Sequence, residues 1–374
     1  MNVVNTNNIY RIYNDSLKTY PKLPARAYQV NFDKQSGFYL SGYDEITIDE
    51  KIYGVHPEKV NKVLNSFKTF DRNLGVILSG AKGIGKTLFG KMLSIKGIEK
   101  GYPLIIVNQY IPGIADYLNS IHQEIVVLFD EFDKTFYLNK NRDSMEDPQT
   151  EMLTLFDGLS QGKKLFIITC NELINLNDYL VNRPGRFHYH FRFDYPDGKQ
   201  IKEYLEDKIP EEAFEEINKV INFSKKVSLN YDCLRAIAFE LSLGETFENA
   251  IKDLNIVNLN RELYDLVVYF KDGEQCQVRD ISLNLFRDDS AYIEVRDSKK
   301  DDITITFNPS YSEYSSEKDA VVIKGSFCDI TSYIDYKTYN EIPEGRERKI
   351  DYILINRKPA QKNMHYFSKV LGEF

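Results

Sequence analysis

Tryptophan is absent from the 374-residue chain, an absence that carries no chemistry. Other scarcities exclude more. The four cysteines, Cys170, Cys233, Cys276 and Cys328, stand far apart and form no Cys-x-x-Cys pair. That spacing excludes a disulfide framework and a thiolate metal site, and it fits reduced intracellular thiols. No apolar run approaches the roughly 20 residues of a membrane span. The opening stretch MNVVNTNNIYRIYND lacks the apolar core of a signal peptide. The expectation is a soluble, cytoplasmic protein with no membrane span. An excess of basic charge is also missing. The net charge is −8 and the pI about 5.4, which argues against a generally basic nucleic-acid surface but leaves room for a basic pore or patch. The length allows two or three domains and a substantial core.

The chain is organised around Gly80–Thr87, GAKGIGKT, which reads G-x-x-x-x-G-K-T. This is the pattern of a phosphate-cradling loop, in which glycines let backbone N–H groups approach phosphate oxygens. The apolar run Gly75–Ser79 before it reads as a buried strand, and Leu88–Ile95 after it as a helix. A helix N-terminus adds a field favourable to an anion. Gly80, Ala81, Lys82, Gly83, Ile84, Gly85, Lys86, Thr87 and Leu88 are therefore the expected nucleotide contacts. Lys86 is placed for the β- and γ-phosphates and Thr87 for Mg²⁺. Tyr53 and Gly54 are candidates for the adenine site, by their order along the chain.

Residues 1–50 read as a short N-terminal β-hairpin cap, with Tyr28–Phe32 and Phe38–Leu40 as its strands and Ile46 and Ile48 as a further strand candidate. From His56 a helix buries Val60, Val63, Leu64 and Phe67. Further buried strands are expected at Pro103–Asn108, Ile125–Phe129, Lys164–Thr169 and Phe187–Phe193, with helices between. Alternation of this kind implies a parallel sheet with crossovers, and a ligand beyond the carboxyl ends of its strands. Residues 51–195 form this α/β nucleotide-binding domain. Residues 196–257 read as a small helical lid. Residues 258–374 read as a β-rich domain of about seven strands, among them Gln275–Val278 and Ile281–Phe286. That domain shows no catalytic constellation, and its His365 stands alone.

Ile125–Asp133, IVVLFDEFD, runs an apolar strand into acids. Asp130 is placed to hold the metal's water shell and Glu131 to act as the base for an attacking water. Asn171, at the end of the next strand, is placed to orient that water from the other side. Arg183 and Arg186, with Pro184 and Gly185 between them, are presented by a turn. They read either as a basic turn paired with surface acids or as arginine fingers supplied to a neighbouring subunit. The phosphate loop and the paired acids favour the finger.

GAKGIGKT, VVLFDEFD and TCNELINLNDYLVNRPGRF together resemble the AAA branch of the AAA+ ATPases over roughly residues 50–255. Thr169, Asn171, Asp178, Arg183 and Arg186 match that branch's second region of homology. The stretch MLTLFDGLSQGKKLFIITCN is similar to mitochondrial Rieske-protein AAA chaperones and to AAA proteins of large phages. The resemblance implies a P-loop AAA+ fold with sheet order 5-1-4-3-2. It also implies an ATP hydrolase using ATP and Mg²⁺, a homo-oligomeric hexameric ring, and nucleotide held between the α/β domain and lid. Near the second strand's end the family carries a pore loop, for which Tyr110 and Ile111 are candidates. Arg235 lies one position from the expected nucleotide-sensing arginine of related families. The implied activity is remodelling or unfolding of a protein client. A nucleic-acid motor or loader and a nucleotide-dependent scaffold are the alternatives, and the acidic balance favours the protein client.

Overall fold

The computed structural model describes every residue except 1, 7, 15–16, 45, 49–50, 52, 54–55, 138–146, 158–161, 182, 184, 226, 255–261, 286–287, 316–317, 319 and 358–374. Gly54, His365 and the expected boundary at 257/258 fall outside the described residues. The chain divides into two compact units, Met1–Phe193 and Asp194–Phe374. The expected lid and β-rich domain therefore share one unit.

The first unit opens with a two-stranded hairpin, β1 (Asn2–Thr6) and β2 (Ile9–Tyr13). β3 (Ala27–Asp33) and β4 (Gly37–Gly42) form a second hairpin. Then come α1 (His56–Thr69), β5 (Leu74–Ser79), α2 (Lys86–Glu99), β6 (Leu104–Val107), α3 (Ile114–Asn119) and β7 (Ile125–Phe129). α4 (Phe132–Thr135), α5 (Pro148–Phe156), β8 (Lys164–Cys170), α6 (Asp178–Val181) and β9 (Tyr189–Arg192) complete the unit.

Seven strands make one sheet, ordered β4-β3-β6-β7-β8-β5-β9, and all its pairings are parallel except β3 with β4. Every residue of β5, β6, β7 and β8 is buried. That burial is why these strands read as unbroken apolar runs rather than alternating ones: helices cover both faces of a parallel sheet. Phe129, at the end of β7, stands edge-on to Phe132, Phe136 and Phe156 at 5.7, 5.6 and 6.0 Å. Val60, Val63, Leu64 and Phe67 of α1 are all buried, as their spacing requires.

The hairpin β3–β4 does not stand apart as a cap. β3 pairs in parallel with β6, Tyr28 opposite Ile105, and so covers a sheet edge that would otherwise expose unpaired N–H and C=O groups. Ile46 and Ile48 form no strand.

The second unit contains α7 (Gly198–Glu206), α8 (Ile217–Ser224), α9 (Tyr231–Ser242) and α10 (Phe247–Asp253). A capping box starts α7: Asp197 accepts from Gln200 N–H, and the Gln200 side chain accepts from Asp197 N–H. Eight antiparallel strands follow: β10 (Glu262–Phe270), β11 (Gln275–Leu283), β12 (Ala291–Arg296), β13 (Asp302–Phe307), β14 (Glu313–Ser315), β15 (Ala320–Lys324), β16 (Cys328–Ile334) and β17 (Ile350–Arg357). They form sheets ordered β11-β10-β17-β15-β14 and β12-β13-β16 around one apolar core.

Of Gln275–Val278 and Ile281–Phe286, expected as separate strands, the first and the Ile281–Leu283 part of the second are joined in the single strand β11, which ends at Leu283. The polar Arg279-Asp280 between them marks a bulge instead of a turn: the register shifts there, Asp280 has φ 60°, and its N–H donates to Asp265 Oδ1 at 3.0 Å.

Candidate functional site

The loop between β5 and α2 is shaped by its glycines. Gly80 has φ 144°, and a Cβ there would sit 2.3 Å from the Phe193 carbonyl oxygen. Gly85, the N-cap of α2, has φ 97°. Side-chain-bearing residues rarely adopt such backbones, so the loop keeps its main chain bare for a close-approaching anion.

Lys86 is the first residue of α2 and is buried. Its Nζ donates to the carbonyls of Gly80 and Ala81 at 2.7 and 2.6 Å and to Asn171 Oδ1 at 3.1 Å. Burial lowers its pKa, while the charges of Asp133, Asp130 and Glu131 pull the other way. The ammonium thus lies between the loop and the end of β8, joining residues 85 apart in the chain.

The acids after β7 form the second half of the site. Asp130 Oδ1 accepts from the Thr87 hydroxyl at 3.3 Å and from the Thr169 hydroxyl at 2.6 Å. Thr169 Oγ1 in turn accepts from the Glu131 N–H at 2.8 Å. Glu131 is held in the left-handed region, φ 50° and ψ 46°, a strain on the order of 1 kcal/mol. The carboxylate is exposed and pairs with Lys134 Nζ at 2.6 Å. Asp133 is buried and accepts from the Asn171 N–H at 2.9 Å, and its second oxygen accepts no hydrogen bond.

The structure therefore brings Gly80, Ala81, Lys86, Thr87, Asp130, Glu131 and Asn171 together at the carboxyl ends of β5, β7 and β8. Residues 76–195 match the family "ATPase family associated with various cellular activities (AAA)". The chain contains an AAA ATPase family domain. Its similarity extends to the "Proteasome-associated ATPase" of Streptomyces coelicolor, 23% identical over 237 residues, 53% of this chain and 38% of that protein. The "AAA ATPase forming ring-shaped complexes" of Corynebacterium kroppenstedtii is 26% identical over 229 residues, again 53% and 38% of the two chains. The "Vesicular-fusion protein SEC18" of Candida albicans is 26% identical over 156 residues, 34% and 19%. The chain spans 14% to 38% of the length of these and similar curated relatives.

Other expected contacts lie elsewhere in the AAA domain or outside it. Ile84 is buried and Leu88 half-buried, while Lys82 is exposed. Tyr53 is buried, with Lys51 Nζ 5.4 Å from its ring centroid. The arginines of the turn before β9 are not at the phosphate loop. The Arg186 carbonyl packs against Gly75 at the amino end of β5, and the loop leaves from Ser79, about 13 Å along the strand. Arg183 is exposed, its guanidinium 5.5 Å over the Tyr179 ring. Arg186 is buried: Nε and Nη2 fork onto the Asp157 carboxylate, the latter at 2.7 Å, and Nη1 donates to the Tyr179 carbonyl at 2.8 Å. This pairing raises the pKa of Arg186 and lowers that of Asp157.

Tyr110 also faces its own domain. Its hydroxyl donates to Glu151 Oε2 at 2.5 Å and its ring stands edge-on to Phe136 at 5.5 Å. Ile111 beside it is half-buried. Arg235, in the second unit, is exposed and 3.9 Å from Asp232 Oδ1. Sequence alone assigned no role to the side chains of Thr169, Asp133, Lys134 and Asp157. For Thr169 the signal was present, as a hydroxyl inside an otherwise apolar buried strand.

The residues fit Mg²⁺ and a nucleotide phosphate. The bare glycine loop provides the cradle, and the Thr87 hydroxyl and Asp130 carboxylate are hard oxygen donors suited to Mg²⁺. Among the described residues no helix is long and apolar enough to cross a membrane.

Proposed function

We propose that the chain is a ring-forming ATPase that couples ATP hydrolysis to remodelling or unfolding of a protein client. One observation carries the hydrolase reading: Thr169 ties Asp130 and Glu131 together opposite Thr87, while Lys86 bridges the loop to Asn171. ATP supplies the phosphoanhydride and Mg²⁺ screens its charge. With its proton donated to Asp130, the Thr87 hydroxyl would keep its lone pairs for Mg²⁺. The three protons of Lys86 bond the Gly80 and Ala81 carbonyls and Asn171 Oδ1, and phosphate oxygens would take the place of one or more of these acceptors. Glu131 takes the proton of the attacking water once Lys134 releases it, and that pair is exposed and therefore weak. Asn171 orients that water. The names of the relatives, a proteasome-associated ATPase and a former of ring-shaped complexes, support the protein client and the ring.

Glu131→Gln tests the assignment against Lys86→Ala. The first variant should keep ATP binding and lose about 10²–10⁴-fold in turnover. The second should lose binding itself. Steady-state hydrolysis at the wild-type rate by the Glu131 variant would remove the base assignment.

A further inference from the structure

Far from the phosphate loop, at the amino ends of β3 and β7, the first unit holds a cleft of about 680 Å³. Tyr20, Lys22, Arg26, Tyr28 and His122 line it, and none of the lining residues is a carboxylate. The cleft is built rather than incidental. Leu23 N–H donates to Gln123 Oε1 at 2.9 Å, and Gln123 Nε2 returns a bond to the Leu23 carbonyl at 3.1 Å. The Tyr28 hydroxyl donates to the Pro24 carbonyl at 3.1 Å. Gly42 borders the Arg26 guanidinium: a Cβ there would lie 2.9 Å from its Nη2, the movable end of the side chain. Its guanidinium also sits 5.9 Å over the Tyr28 ring.

The charge of this region opposes that of the whole. Residues 1–26 carry Arg11, Lys18, Lys22 and Arg26 against the single acid Asp15, in a chain of net charge −8. A large ring accompanies these cations in solvent. Tyr20, which lines the cleft, is 62% exposed. Two cations, Lys22 and Arg26, beside the exposed ring of Tyr20 in one cleft match a polyanion whose units have planar faces of their own. An acidic peptide lacks the planar faces, and a duplex keeps its bases stacked away from them.

We propose that this cleft binds single-stranded nucleic acid, with Lys22 and Arg26 on phosphates and Tyr20 stacked on a base. Binding here goes beyond ATP turnover and needs no nucleotide. It would attach the protein to a nucleic acid whatever its client.

The test is fluorescence anisotropy of a labelled oligo-dT of about 20 nucleotides with the full chain and no ATP, across a salt series. Two phosphate contacts predict a log–log salt slope of about −1.4. The Lys22→Ala/Arg26→Ala pair should bind at least about tenfold more weakly, with a flatter slope. Tyr20→Ala should also lose about tenfold but keep the slope, and Tyr20→Phe should restore binding. All three positions are exposed, so urea midpoints and basal ATP turnover should match wild type. Failure of the wild-type chain to bind, or equal binding by the variants, overturns the proposal. So does a duplex of the same length, or poly-glutamate, bound as tightly as oligo-dT.

Discussion

Thr169 shows how much one hydroxyl can organise. It orients the carboxylate of Asp130 and holds the backbone of Glu131 in its left-handed conformation. Thr169→Val keeps the shape and removes both bonds. Turnover should fall about 10–100-fold, the usual effect of removing a partner that orients a metal ligand. ATP affinity measured without Mg²⁺ should stay within about twofold, Mn²⁺ affinity should weaken, and Thr169→Ser should restore both. A valine variant with wild-type turnover and metal affinity would mean that the hydroxyl only fills space.

Lys164 is the second residue whose environment makes a testable statement. It is fully buried at the start of β8, donating to the Gly162 and Ile121 carbonyls at 3.0 and 3.3 Å, and burial pulls its pKa down to about 8. The unfolded amine titrates near 10.4. Below pH 8 the folded chain carries a buried charge at a cost, and that cost disappears as pH rises toward 10.4. Wild type should therefore gain on Lys164→Met by about 1.4 kcal/mol per pH unit between pH 8 and 10. Urea unfolding of both proteins at pH 7, 8.5 and 10 measures the difference, and a flat difference would place the amine in water.

Among the elements, the turn before β9 separates two arginines that looked alike in sequence. Arg186 braces the turn through Asp157, the C-cap of α5, and the Tyr179 carbonyl on α6, whereas Arg183 stays exposed. Arg186→Ala should cost about 1–3 kcal/mol, because it removes charge-assisted bonds and leaves Asp157 unpaired. Arg183→Ala should stay within about 0.5 kcal/mol of wild type. Equal urea midpoints for both variants would remove the bracing role. The sequence placed both residues on a turn correctly but could not divide their roles. The division depends on Asp157, 29 residues from Arg186, and on which guanidinium the fold encloses.

At the scale of the whole molecule, the position of that turn bears on the proposed ring. Arg183, in the turn beside Gly75, lies at the amino end of the sheet and the phosphate loop at the carboxyl end, so in the proposed ring Arg183 would serve the phosphate loop of a neighbouring copy. Lys86→Ala and Arg183→Ala subunits should each be nearly inactive alone. Mixed, some interfaces join an intact loop to an intact arginine, and hydrolysis should partly return. Wild-type specific activity should rise with protein concentration. Activity independent of concentration, with no recovery on mixing, would place every catalytic group within one chain.

By itself the sequence determined what is encoded within about fifteen consecutive residues. The strand–glycine loop–helix of Gly75–Ile95, the acids ending β7 and the buried parallel strands are all local patterns, whose periodicity and glycine content leave few conformations open. Only the tertiary structure decided which groups meet across the chain. Thr169 reaches Asp130 over 39 residues because β7 and β8 are neighbours in the sheet. β3 joins the sheet because the edge of β6 is open to it. In the second unit Arg357 Nη1 donates to the Ser224 carbonyl at 3.1 Å across 133 residues, a contact between β17 and the helical segment within a unit that composition divides in two. Pairings of this kind depend on strand order and register, which set partners in space that no local pattern specifies.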